Sequence, residues 1–151
     1  MDEPTISDAF AGGPRRVGSY VLFLRVECTE AVVVGRLGVC AFAPGYYAYT
    51  GSALGGLDAR IARHRSARKR MRWHVDYLLQ RASVAEVLEI EGGGRLECAL
   101  SDRLAVAPWT SHPVRGFGSS DCRCLSHLHY LGPQAASVAR ARAVLRDLAG
   151  A

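Results

Sequence analysis

The 151-residue chain is almost without lysine: of its 19 Lys and Arg residues only Lys69 is a lysine. It has no apolar run near the roughly 18–20 residues that a membrane helix needs. The acidic start Met1-Asp2-Glu3-Pro4 has no hydrophobic segment of the kind that opens a secretion signal. Together these absences lead us to expect a cytoplasmic protein with no membrane partner. The 5 cysteines are an odd number without a secretory context, so reduced thiols are expected and a disulfide framework is not. No internal repeat is visible, and the length suits one compact domain.

What is present points to a folded chain. Hydrophobic residues make up 49% and charged residues 22%, which disfavours global disorder. The formal charge of +5 rests on guanidinium groups, which suit bidentate contacts to phosphate and equally suit a solvated basic surface.

Residues 1–16, with Gly12-Gly13-Pro14, read as a flexible N-terminal arm, and residues 17–151 as one domain. Ser19 to Val26 is dense in β-branched and aromatic residues and predicts a buried strand. Ala31 to Gly35 predicts a second strand, which Val39 to Phe42 extends or follows as a bulged edge. Tyr46 to Thr50 predicts a third. The short connections favour an antiparallel three-stranded meander. Further on, Trp73 to Leu79 has helical spacing, Val84 to Ile90 alternates like a strand, and Arg95 to Val106 has helical period up to Pro108. His127 to Leu131 alternates again, and a helix is expected from Pro133 to Leu148.

The chemistry gathers around Gly45-Tyr46-Tyr47-Ala48-Tyr49-Thr50-Gly51-Ser52, an aromatic strand that breaks at glycine. A period of two places Tyr47 and Tyr49 on one face and Tyr46, Ala48 and Thr50 on the other. In the helix that follows, Leu57, Ile61 and His64 recur at i, i+4 and i+7 with Arg60 beside them, so Arg60 and His64 border the apolar stripe. Together with Tyr20 near the start of the first strand, these residues form the set that a phosphodiester-handling surface needs. Between positions 63 and 72 stand Arg63, Arg65, Arg68, Lys69, Arg70 and Arg72, a density that fits either a phosphate-tracking stretch or a solvated face.

These residues resemble the GIY-YIG nuclease superfamily. Its two namesake tripeptides match Gly18-Ser19-Tyr20 and Tyr49-Thr50-Gly51, with Ser19 and Thr50 in place of the usual isoleucines. The family's following serine, helical arginine and histidine four residues later match Ser52, Arg60 and His64. Its helical metal-binding glutamate matches Glu97 in Leu96-Glu97-Cys98-Ala99-Leu100. The segments Trp73–Leu78 and Gly116–Cys122 are similar to a small branch of that superfamily, some members of which are fused to endonuclease III-like repair proteins. The resemblance covers residues 17–131.

The resemblance implies an α+β, GIY-YIG-like fold: a central three-stranded antiparallel sheet flanked by helices, with a short additional strand and a C-terminal helix. It implies a metal-dependent endonuclease that hydrolyses phosphodiester bonds in DNA, structure-selective and repair-related. Single-stranded or branched DNA are candidate substrates. In that reading Tyr20 is the base that takes a proton from water. A phenol of reference pKa about 10 is a poor base, so Arg60 is expected to lower it while also contacting the scissile phosphate. Tyr49 would orient water or phosphate, His64 would bond Tyr20 or a phosphate, and His74 matches a histidine of some members. Glu97 would hold a single divalent cation, Mg²⁺ or Mn²⁺, with Glu86, Glu89 and Glu91 as alternative ligands. Ser52 and the basic run would contact nucleic acid.

Other readings stay open. Cys122-x-Cys124-x-x-His127-x-His129 invites zinc, but four ligands in eight residues are too close for the usual knuckle spacing. The expected outcome is Cys122 packed as a small hydrophobe, with Asp121 and His127 fixing the loop or bordering the active site. A second class of function is a non-catalytic basic module that binds nucleic acid or a protein partner. Restriction or homing activity is disfavoured because 151 residues leave no room for a separate DNA-reading domain.

Overall fold

The computed structural model describes residues 15–148, so residues 1–14 of the expected arm lie outside the described residues. Among the described residues the order is β1 (Gly18–Val26), β2 (Glu30–Val33), β3 (Val39–Phe42), β4 (Gly45–Ala53), α1 (Leu57–Arg65), α2 (His74–Leu78), β5 (Ser83–Glu91), α3 (Glu97–Ala105), β6 (Leu128–Gly132) and α4 (Ala136–Val144). The architecture is α+β, an antiparallel sheet flanked by helices.

The main sheet has four strands in the order β5-β1-β4-β6, and β2 pairs only with β3 in a separate hairpin. This corrects the expected three-stranded meander and the three-stranded central sheet. The reason lies in β1, whose nine residues are buried except Arg25. A strand apolar on both faces is stable only with a neighbour on each side and a layer above and below. At the edge of a meander β1 would leave one side open; here β4 and β5 take both sides. The β2–β3 hairpin, with alternating burial, is half-exposed and lies outside that sheet.

Successive residues of β1 serve opposite layers. Tyr20, Leu22 and Leu24 join Tyr47, Tyr49 and Leu128 against Leu57 and Ile61 of α1, Val75 and Leu78 of α2, and Phe117. Val21 and Phe23 join Ala48 and Leu131 against Leu100 and Leu104 of α3 and Val138 and Ala141 of α4. The period of two thus assigns each tyrosine of β4 to its layer: Tyr47 and Tyr49 to the first, Tyr46 to the second.

The antiparallel register of β1 on β4 sets Gly18, Ser19 and Tyr20 opposite Ala53, Ser52 and Gly51. The start of one strand and the end of the other therefore meet at one end of the sheet. Gly51 is required there by close approach: a Cβ on it would stand 2.5 Å from Cζ and the hydroxyl of Tyr20. At the same end Arg16 joins the sheet to α1, hydrogen-bonding Glu89 at 2.6 Å and Asp58 at 2.5 Å. No described helix is long and apolar enough to cross a membrane.

Candidate active site

A cleft of about 520 Å³ opens over this end of the sheet, and Tyr20, Tyr49, Ser52, Arg60, His74 and Glu97 all line it. Residues separated by as many as 77 positions are brought together because β1 and β4 pair, α1 follows β4 directly, and α3 begins against Ser19 and Ser52.

On the α1 side, the Tyr20 hydroxyl lies 2.8 Å from Nε2 of His64, and both side chains are buried. His64 reaches it because Leu57 and Ile61, two turns and one turn back, bury the same stripe of α1. Burial pushes the imidazole pKa down to about 3, against the pull of Asp76, so His64 is neutral. The tautomer protonated on Nδ1 lets the ring accept the phenol proton at Nε2; Nδ1 itself is buried without a hydrogen-bond partner. Burial also raises the Tyr20 pKa, and the hydrogen bond and charge of Arg60 lower it only in part. This corrects the expectation that Arg60 brings Tyr20 below its ordinary value: desolvation of a phenolate at a site this closed outweighs one neighbouring cation. Tyr49 is raised as well, by burial and by Tyr20 beside it.

Arg60 donates from Nη1 to the carbonyl of Ser52 at 3.0 Å and stacks over Trp73 at 4.4 Å. Trp73 also carries Arg63 at 4.4 Å and Arg72 at 5.0 Å. The basic run then divides. Arg63 makes two 2.9 Å bonds to Asp76, which is fully buried and also accepts the amides of Arg72 and Trp73. Burial would raise the Asp76 pKa, but the Arg63 bonds and both amides outweigh it and hold it below the usual carboxylate value. Lys69 donates to the carbonyls of Arg63 and His64. Arg63 and Lys69 therefore hold the polypeptide, while Arg65, Arg68, Arg70 and Arg72 are exposed, and of these Arg72 lines the cleft.

On the α3 side, Ser19 and Ser52 face each other across the strands at 2.9 Å, and Ser19 Oγ accepts the Leu96 amide at 2.8 Å. Ser52 Oγ in turn donates to Oε1 of Glu97. Two hydroxyls thus fix the first turn of α3 and aim its carboxylate at the cleft. Glu89 and Glu91 bond Arg16, Glu86 lies 3.3 Å from Arg142, and the three line no part of the cleft. Of the four glutamates weighed as metal ligands, Glu97 is the one that lines the cleft, which Asp121 also borders. Its single carboxylate is a hard oxygen donor that suits Mg²⁺ or Mn²⁺, with other positions left to water and phosphate.

His74 accepts the Gly118 amide at Nδ1, 2.8 Å away, which leaves its proton on Nε2. Gly118 has a φ of +71°, and a Cβ there would lie 2.8 Å from the Tyr49 ring. Asp121 and His127 border the same cleft. Three contributors escaped the sequence reading. Arg95 lines the cleft from the turn before α3, Trp73 serves as the arginine platform, and Ser19 anchors α3. Only Ser19 had a local signal, a hydroxyl within an otherwise apolar strand.

A family model described as a domain of unknown function, DUF123, matches residues 19–149. The chain belongs to this family. No curated protein and no solved structure matches it. The match spans every strand and helix that lines the cleft, so in this DUF123 chain the site belongs to the domain itself.

Proposed function

We propose that this DUF123 domain is a divalent-metal-dependent endonuclease of the GIY-YIG type that cleaves DNA. The observation that carries the reading is the meeting of Tyr20, Arg60 and Glu97 in one cleft. They bring a proton acceptor, a fixed cation and a carboxylate, each from a different element.

Hydrolysis needs a deprotonated water, neutralised phosphoryl oxygens and help for the leaving oxygen. The Tyr20 oxygen, whose own proton is directed at His64, has a lone pair free to accept a proton from water. As it takes that proton it passes its own to Nε2 of His64, so phenolate need not accumulate in a buried site. Burial and the cations Lys69, Arg60 and Arg63 keep the His64 pKa near 3, so the imidazolium is transient, and Asp76 is the neighbouring charge that favours it. Arg60, held by the Ser52 carbonyl and Trp73, is positioned to bind the scissile phosphate without reorganisation. Arg72 and Arg95 extend positive charge along the cleft. Glu97 would hold the divalent cation, which supplies Lewis-acid stabilisation of phosphate charge.

A preference for DNA structure over sequence is in keeping with this lining. Guanidinium groups and backbone contact phosphates, which position a substrate without reading its bases. A repair role, with single-stranded or branched DNA as substrate, accords with such selectivity.

The test is incubation of the full chain with labelled single-stranded, duplex and branched DNA and with RNA, in Mg²⁺, Mn²⁺ or EDTA. Cleavage of DNA that depends on the metal is expected. Binding without cleavage of any substrate would replace this reading with that of a non-catalytic nucleic-acid-binding module.

A further inference from the structure

Beside the cleft stands a second group of side chains that the proposed chemistry does not use. Cys122, Cys124 and His127 come from the loop before β6, and Cys98 from the first turn of α3, directly after Glu97. Their ligating atoms all lie within 4.8 Å of one another. Nε2 of His127 is 3.5 Å from Sγ of Cys122 and 3.7 Å from Sγ of Cys98. A tetrahedral zinc ion, with Zn–S about 2.3 Å and Zn–N about 2.0–2.1 Å, sets its sulfur and nitrogen ligands about 3.5 Å apart and its sulfurs about 3.8 Å apart. The two His127–sulfur separations are close to such tetrahedron edges, and the four ligating atoms stay within 4.8 Å of one another.

We propose that Cys98, Cys122, Cys124 and His127 form a structural zinc site of the Cys₃His type. Three sulfurs and one imidazole make a soft donor set that selects Zn²⁺ over Mg²⁺ or Mn²⁺. Four protein ligands leave no open position for water or substrate, as in structural zinc sites and unlike catalytic ones. Ligating atoms this close leave room for one ion between them and none for an iron–sulfur cluster.

The difficulty of packing Cys122, Cys124, His127 and His129 around one ion disappears, because His129 is not in the group. Its Nε2 lies 2.8 Å from Ser101 Oγ and its ring packs on His112 at 4.8 Å. Cys98 replaces it from another element, so only three ligands come from the short loop. The main chain already clips that loop to the sheet: His127 donates to the Phe117 carbonyl at 2.8 Å and accepts the Thr50 amide at 3.1 Å. Zinc would tie the start of α3, and with it Glu97, to the loop that carries Asp121. Its role is to hold one wall of the cleft in place, and it stands whether or not the domain cuts DNA.

The test measures metal in the purified full chain and the spectrum of the same protein after replacement by Co²⁺. About one zinc per chain is expected, with the intense visible bands of tetrahedral cobalt and thiolate charge transfer in the near ultraviolet. Cys98→Ser, Cys124→Ser and His127→Ala should each lower zinc affinity at least ~10-fold. Cys28→Ser, Cys40→Ser and His129→Gln should retain the metal. The wild-type cobalt spectrum decides the matter even where a variant fails to fold. Reduced protein with no bound zinc and no tetrahedral cobalt spectrum would overturn the proposal. So would iron with inorganic sulfide, a disulfide joining two of the three cysteines, or loss of zinc in His129→Gln.

Discussion

The hydroxyl of Tyr20 and Nε2 of His64 stand 2.8 Å apart between β1 and α1, both on buried side chains. Each is the other's hydrogen-bond partner, so a change in one is felt by the other. Tyr20→Phe leaves a buried imidazole nitrogen unpaired, which costs about 1–3 kcal/mol. Its effect on cleavage is larger, a fall of at least ~100-fold, because the proton acceptor is gone. Denaturant melts and single-turnover cleavage assays separate the two. Full cleavage by the folded variant would remove Tyr20 from the mechanism.

Burial holds His64 and His129 neutral, each with a pKa of about 3 against an ordinary 6.5. The unfolded chain takes up protons below pH 6.5 that the folded chain refuses until about pH 3. Stability is therefore fully present above pH 6.5 and declines as pH falls between these values, by up to about 1.4 kcal/mol per pH unit for each histidine. Urea titrations at pH 7.5 and pH 5.0 measure this loss. His64→Gln is expected to shrink it, and an unchanged pH dependence would show that His64 is accessible to protons.

Glu97→Gln keeps an oxygen for the Ser52 hydroxyl and removes only the charge. The variant is expected to melt like the wild type and to lose metal-activated cleavage by at least ~100-fold. Retained activity at the same Mg²⁺ concentration would move the metal ligand elsewhere.

The arginines should respond to substitution in opposite ways. Arg63→Ala strands the buried Asp76 carboxylate and is expected to destabilise the fold by about 3–5 kcal/mol. Arg72→Ala leaves stability within about 0.5 kcal/mol. It should weaken DNA binding and reduce the slope of log Kd against log salt by roughly one phosphate contact. Thermal melts and binding isotherms at several salt concentrations test both. A stable Arg63→Ala with weakened binding would reverse the assignment.

Gly51→Ala puts a methyl group into the ring of Tyr20, with no room for it between the paired strands. A loss of about 1–3 kcal/mol is expected, together with slower cleavage as Tyr20 is displaced. Unchanged melting and kinetics would mean that the strand end yields easily.

Much of the site was legible along the chain because its signals are local. The alternation around Tyr49 and the spacing of Leu57, Ile61 and His64 follow from the pleat and the helical turn, and these elements formed where expected. The partner strands of β1 were not legible. A continuous apolar run reports burial on both faces without saying which segments provide it, and β5 comes from some sixty residues downstream. The basic run misled for a related reason. Arg63 and Lys69 look like Arg65 and Arg68 in the sequence, and only the position of Asp76 and the carbonyls at the end of α1 shows that they are held internally.

The one-dimensional pattern established the residue types, the strand that breaks at Gly51 and the faces on which Tyr47, Tyr49, Arg60 and His64 stand, because covalent geometry imposes periods of two and 3.6. Convergence belonged to the folded chain. Ser19, Ser52 and Glu97 are joined across three elements, and Cys98 reaches Cys122, Cys124 and His127 from a helix far upstream of their loop. Such meetings depend on which buried surfaces pack together, a property of the whole core that no local spacing encodes.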